Sequence, residues 1–405
     1  MGWSGDGLTG GTKDDGVCWS DGDFQSYARC CFSRLRELAQ APAPLWMRRE
    51  ISNDGAGMRR ESMDQVEERL GHIYCRFRII QGQLHTCDPQ RIEVLKDGDA
   101  SGEPWGQYQA LSRATRLFMA LDLLADLDIF VSPNIYDHES PPVPVLTKAR
   151  AVFAQNLFRV PSYELIGPLL DRIRWDLDGA NGAILWDDKE PRLFWRGGMR
   201  SFNRCSCDPR QAQWPQLWRN FSGLLENEGV GPCGCTRLIT NVSSFELCNR
   251  ARLCEIGRKH PHLVDAKLAY IPESYDSIRG MAEERGYVAD YTQPSDQLRY
   301  KYLISTDGST IDDTRIYWML SSGSLVFKQI TPLLPFGLPA LQPWKHFVPV
   351  KEDFSDLVEK VEWARANNDA CRAMAARASH FARRFFTEEE ILHYVYRVLR
   401  HVDTG

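Results

Sequence analysis

Three stretches of this 405-residue chain carry side chains that could do chemistry. In Phe194-Trp195-Arg196-Gly197-Gly198-Met199-Arg200-Ser201, an apolar strand delivers a glycine pair flanked by two arginines. Glycines let backbone N–H groups approach an anion closely, and the guanidinium fork matches phosphate oxygens. Two readings stay open on these residues alone: a diphosphate clamp of Gly197, Gly198, Arg200 and Ser201, and the commoner case of a plain glycine turn with solvated arginines. The second stretch is the unit Tyr302–Phe327. Its strand ends in Asp307-Gly308-Ser309-Thr310, and Arg315 opens the helix that follows. In open parallel sheets, ligands sit beyond the carboxyl ends of the strands, which places Gly308, Ser309 and Arg315 at an anion. A cation in the first helical turn opposes the macrodipole, and a bound phosphate would resolve that conflict. The alternative is a surface arginine on an ordinary crossover helix. In the third stretch, Asp137 and Glu139 follow a buried strand, where a carboxylate can act as general base. A solvated loop acid is the alternative, and His138 is a weaker candidate.

The 12 cysteines are the compositional oddity. Cys205, Cys207, Cys233, Cys235, Cys248 and Cys254 crowd into one region. Their C-x-C spacing fits structural zinc poorly, so disulfides are preferred to zinc, with inert reduced thiols as a third option. The sequons Asn220-Phe-Ser222 and Asn241-Val-Ser243 in the same region lean toward an oxidising, glycosylating compartment. His260-Pro-His262 reads as a turn rather than a metal ligand pair.

These groups need a scaffold. The pattern predicts helices over 62–70, 108–124 and 314–320. It predicts a hairpin of Tyr74–Ile80 and Gln83–His85 around Gly82, and strands at Leu127–Ser132, Val143–Leu146, Leu193–Trp195, Leu263–Ala266, Tyr302–Thr306, Leu325–Phe327 and Val348–Val350. Three helices close the chain. Ser355 is placed to cap the first, Asn367-Asn368 separates it from one over 369–385, and Thr387 with Glu390 forms a capping box for the last. Residues 202–260 show little periodicity. Strands alternating with helices around a long seam indicate two α/β lobes.

Composition excludes several classes. Lys and Arg number 49 and Asp and Glu 54, so the net charge is −5. That balance disfavours sequence-independent nucleic-acid binding, which needs surplus cations. No apolar run is long enough to span a bilayer, and four prolines break the uncharged stretch 329–344. Residues 1–20 hold six glycines and no signal peptide. An incomplete N-terminus is the expected account of a cysteine-rich chain without a leader.

Lys301-Tyr-Leu-Ile, the Arg315 helix, Ser322-Gly-Ser-Leu-Val-Phe-Lys328 and Leu338-Pro-Ala-Leu-Gln-Pro-Trp-Lys-His-Phe-Val-Pro-Val350 resemble glycosyltransferase family 90, the capsule-associated and Rumi-type glycosyltransferases. Phe194–Ser201, His260-Pro-His-Leu-Val-Asp-Ala266 and Phe77–Leu84 extend the resemblance across about 66–400, densest after 300. It implies an α/β fold with two Rossmann-like lobes and a cleft between them. It divides the chain into a flexible cysteine-containing lead-in over 1–60, an acceptor-side lobe over 61–190 and a nucleotide-sugar lobe over 191–385 with a cysteine-rich insertion at 202–260. A terminal helix over 386–405 would pack back on the first lobe. The implied activity is inverting transfer of glucose or xylose from a UDP-sugar to a Ser/Thr hydroxyl of a protein, or to a glycan hydroxyl. No cofactor, no essential metal, no nucleic-acid partner and no transmembrane segment are expected.

The resemblance puts Arg200 and Arg315 on the donor diphosphate, with Gly197 and Ser201 lining the same turn, and Asp137 as the base. Two extra residues around Pro133-Asn134 keep Glu139 as a rival base. Where many relatives carry an acidic residue and aromatics, this chain has Pro335-Phe336-Gly337-Leu338. Relatives work in the endoplasmic reticulum and Golgi lumen, which would account for the cysteines and sequons together. The alternatives are a catalytically inactive family member that binds glycans or proteins, and a zinc-stabilised interaction module over 205–254.

Overall fold

The computed structural model describes residues 33–55, 62–71, 74–88, 103–132, 141–151, 154–162, 165–166, 173, 177–179, 184–199, 202–203, 237–238, 242–246, 248–272, 275–307, 314–331 and 333–404. Asp137, Glu139, Arg200, Ser201, Gly308 and Ser309 lie outside them.

The first half begins with helices α1 (Ser33–Gln40), α2 (Leu45–Asp54) and α3 (Met63–Leu70). From residue 33 on, the chain is therefore not the flexible lead-in expected over 1–60. Met47, Glu50, Ile51 and Asp54 of α2 are buried. Strands β1 (Cys75–Ile80) and β2 (Gln83–Thr86) form a hairpin whose turn residues Gln81 and Gly82 both have positive φ, the mirror-image turn that suits strand twist. A disulfide between Cys75 and Cys87 closes its base. Helix α4 (Glu103–Ala120) leads to β3 (Leu127–Val131), β4 (Val145–Thr147), β5 (Ala149–Ala151) and β6 (Leu157–Arg159). The first sheet runs β2-β1-β3-β4-β6, with β3, β4 and β6 parallel.

The second half opens with β7 (Glu190–Gly198). A short antiparallel pair, β8 (Phe202–Asn203) and β9 (Arg237–Leu238), spans the cysteine-rich segment. Then follow α5 (Val242–Glu246), α6 (Asn249–Lys259), β10 (Val264–Tyr270), α7 (Asp276–Glu284), α8 (Pro294–Gln297), β11 (Tyr300–Ser305), α9 (Thr314–Ser321), β12 (Leu325–Gln329), β13 (Leu333–Pro335) and β14 (Val348–Val350). The second sheet is wholly parallel in the order β10-β7-β11-β12-β14. Strands β11 and β12 are buried at every position, as parallel strands covered on both faces must be. Helices α10 (Leu357–Ala366) and α11 (Asn368–Phe385) meet at Asn367, and α12 (Glu388–Thr404) ends the fold. Asp356, not Ser355, occupies the cap position of α10. Thr387 accepts a hydrogen bond from Glu390 N at 3.3 Å, the expected half of the capping box.

One apolar core runs through both halves. It joins Phe77, Ile129 and Val131 of the first sheet to Phe194, Leu303 and Val326 of the second through α9, α11 and α12. Helix α12 buries Ile391, Leu392, Val395, Val398, Leu399 and Val402 on one stripe, which packs on α1, α4 and β3. A second core under Trp195, Leu268, Ile304 and Phe327 is covered by α6 and α10. The two sheets are also tied by a ribbon. β5 starts two residues after β4 ends, β13 starts four after β12 ends, and β5 pairs antiparallel with β13. Because each residue extends the chain by only about 3.5 Å, the carboxyl ends of both sheets are held at one seam.

Candidate functional site

Of the residues that the sequence placed near an anion, Gly197, Gly198 and Arg315 are described: the two glycines end β7 at the carboxyl edge of the second sheet, and Arg315 lies in the helix that follows β11. At the end of β7, a Cβ on Gly197 would stand 2.4 Å from Trp195 Cζ2, so no side chain fits there without moving the indole. Trp195 is fully buried and donates from Nε1 to Thr306 Oγ1 at 3.1 Å, tying the end of β7 to the end of β11. Met199 N donates to Tyr270 O at 2.6 Å, tying β7 to β10. Gly197 and Gly198 are thus the last residues of strand β7, not the turn the sequence suggested, and that strand end is fixed from both neighbouring strands.

Arg315 is the second residue of α9, the helix that follows β11, and is half-buried. Among the described residues it has no hydrogen-bond or ion-pair partner. Arg196, the other arginine beside the glycines, is committed elsewhere. It pairs with Asp265 at 2.8 Å and lies over the Phe194 ring at 4.4 Å.

Arg250 takes a place at this edge that the sequence reading missed. It is the second residue of α6, as Arg315 is of α9. Its guanidinium lies 5.6 Å from the centre of the Trp195 ring. It donates to Gly198 O through Nη1 and to Asp307 O through Nη2, the latter at 3.3 Å. One side chain therefore clips the ends of β7 and β11 together. Two arginines in the first turns of two helices both oppose the helix dipoles, the arrangement expected where a bound anion offsets the conflict. The signal for Arg250 was weak because α6 buries Ala251, Leu253, Cys254 and Gly257 at uneven spacing.

Behind the arginines lies a buried polar cluster. Asp307 receives Lys328 Nζ at 2.7 Å and Thr331 Oγ1 at 2.5 Å on its two carboxylate oxygens. Its N–H donates to Gln329 Oε1 at 3.0 Å, and Gln329 Nε2 donates to Glu352 O at 2.7 Å. Burial, reinforced by the charges of Asp307 and Asp353, pushes the Glu352 carboxyl up to about 8.

The turn at Pro335-Phe336-Gly337-Leu338 meets a carboxylate from elsewhere in the chain. Glu50 Oε1 of α2 accepts from Gly337 N at 2.9 Å. Arg159 Nη1 lies 3.4 Å from the same oxygen and donates to Pro335 O at 3.1 Å. Arg159 also grips Asp54, with Nη2 at 2.9 Å from Oδ1, and Arg150 lies 3.2 Å from the same carboxylate. Burial pushes the Glu50 carboxyl up to about 7.

The cysteine expectation is corrected at two positions. Cys248 and Cys254 are free and buried, not disulfide-bonded. Cys248 Sγ caps α6 by accepting from Ala251 N at 3.3 Å, and burial raises both thiols, which makes them inert. Among the described residues, no group of His, Cys, Asp and Glu could hold a metal ion. Cys205, Cys207, Cys233 and Cys235 lie outside the described residues. His260 and His262 sit in the turn before β10. Among the described residues, no helix is long and apolar enough to cross a membrane.

Residues 243–402 match the family model described as glycosyl transferase family 90. Protein O-glucosyltransferase 3 of Homo sapiens is 31% identical over 153 residues, covering 37% of this chain and 29% of the relative. Protein O-glucosyltransferase 1 of Homo sapiens is 29% identical over 184 residues, covering 45% of this chain and 42% of the relative. An uncharacterized protein, 179R of Invertebrate iridescent virus 6, is 33% identical over 134 residues, covering 31% of this chain and 11% of the relative. The chain thus spans well under two thirds of the length of these relatives.

Proposed function

We propose that the protein is a member of glycosyl transferase family 90, whose model matches residues 243–402, and that it transfers a sugar from a UDP-sugar to a hydroxyl group. Glucose or xylose is the proposed sugar, and a Ser/Thr hydroxyl of a protein or a hydroxyl of a glycan is the proposed acceptor. The observation that supports this reading is Arg250, second in its helix and bonded to the carbonyl of Gly198 at the end of β7, together with Arg315, second in the helix that follows β11. A UDP diphosphate laid there meets two guanidinium groups and two helix N-termini. As the sugar departs, charge builds on the diphosphate, and prearranged cations stabilise it. Arg200, Ser201, Gly308 and Ser309 are proposed to complete the clamp.

Asp137 is the proposed base, with Glu139 as its rival. It would take the proton from the acceptor hydroxyl, whose oxygen then attacks the anomeric carbon opposite the departing UDP and inverts the configuration. No metal or cofactor enters this scheme. The Cys75–Cys87 disulfide supports a proposed location in the oxidising lumen of the secretory pathway.

The test is a panel of UDP-sugars with UDP release as the readout. Turnover by the wild type that is lost in Asp137→Asn supports the scheme. Loss in Glu139→Gln with Asp137→Asn unchanged would move the base to Glu139. UDP-sugar binding without turnover on any acceptor would make the chain a binding module.

A further inference from the structure

Asp307 is a carboxylate at the carboxyl edge of the second sheet, where two arginines are proposed to hold an anionic donor. A free carboxylate there would compete with the diphosphate for those guanidinium groups. The geometry shows it turned away. Asp307 meets Arg250 through its backbone carbonyl at 3.3 Å. Its carboxylate instead faces Lys328 at 2.7 Å and Thr331 at 2.5 Å, with the Lys328 and Asp307 side chains only 2% and 7% exposed.

We propose that Lys328 and Thr331 are positioning residues that sequester the Asp307 carboxylate, so that Asp307 presents a carbonyl rather than a competing anion to Arg250. The inference rests on the donor reading above and adds a self-inhibition that the buried pair prevents. Lys328 lies on β12 and needs no contact with the nucleotide. Thr331 lies in the link from β12 to β13, so the same short segment that leads into the β5–β13 ribbon also holds the Asp307 carboxylate. Glu352 lies close enough to Asp307 for their charges to interact.

The experiment is calorimetric titration with UDP, paired with thermal unfolding, on the full chain. Lys328→Met should weaken UDP binding about tenfold through the freed carboxylate, and Thr331→Val about threefold. Lys328→Met combined with Asp307→Asn should restore binding to within about threefold of wild type, because removing both charges of a buried pair is far milder than removing one. If Lys328→Met does not fold, the double variant and Thr331→Val decide the question. A folded Lys328→Met that binds UDP like wild type overturns the inference. So does a folded double variant that stays about tenfold weak, since Lys328 would then be contacting the nucleotide itself. Wild-type protein that binds no UDP overturns the donor reading, and this inference falls with it.

Discussion

Among the described residues, two buried clusters of charge are built differently. At the lobe junction, Glu50, Asp54, Arg150 and Arg159 come from α2, β5 and β6 and all lie at 5% exposure or less. Arg159 spends its donors on Asp54, Glu50 and the carbonyl of Pro335, and Tyr394 of α12 reaches both Glu50 Oε1 and Arg159 O. At the donor edge, the buried pair Asp307–Lys328 sits behind two arginines that remain half-buried. The junction joins elements far apart in the chain. The donor edge leaves its cations at the rim. The contrast separates charge that holds the fold from charge that is proposed to meet a ligand.

The first way to break the comparison is Arg159→Ala. It strands two buried carboxylates, so the loss of stability should be about 3–5 kcal/mol, read by denaturant unfolding. A loss under about 1 kcal/mol would mean that the junction is not held by this ion cluster.

Next in size is the pH dependence of the junction. Glu50 has a folded value of about 7, above its ordinary 4.5. Its contribution to stability is therefore fully present at and below about pH 4.5 and is lost as pH rises through about 7. The difference is on the order of 3 kcal/mol. Glu50→Gln should remove this part of the pH dependence, so that variant and wild-type unfolding curves diverge between pH 5 and 8. Parallel curves would show that Glu50 is not the titrating group.

Smaller again is Gly197→Ala at the donor edge. The added Cβ meets Trp195 Cζ2 at 2.4 Å, and such overpacking costs about 1–3 kcal/mol. The displaced indole should also loosen Thr306 and lower UDP affinity, read in the same unfolding and titration experiments. Unchanged values in both would mean that the strand end has room to spare.

The two regions were not equally legible. The frame of the donor edge could be read because Tyr302–Thr306 and Leu325–Phe327 are uninterrupted apolar runs around a helix, the mark of buried parallel strands. Arg315 could be placed for the same reason. Arg250 could not, because its helix lies in a stretch without clear periodicity and its partners are backbone carbonyls, which carry no side-chain signature. The junction was invisible. Asp54 and Arg159 are 105 residues apart, and residues 1–60 were expected to be a flexible lead-in, although α2 runs through Asp54. Nothing local in a sequence marks a carboxylate that is buried by a partner so remote. The cap of α10 fell one residue from its expected position because Asp356 and Ser355 are both competent caps and neighbouring geometry chooses between them.

The central claim is that the carboxyl edge of the second sheet holds the diphosphate of a UDP-sugar. Titration of UDP into wild type and Arg315→Ala tests it directly, because that half-buried side chain can be removed with little expected effect on folding. The account predicts saturable UDP binding by wild type and at least about tenfold weaker binding by Arg315→Ala at an unchanged unfolding midpoint. Equal affinity in the two proteins, or no binding by wild type, would contradict it.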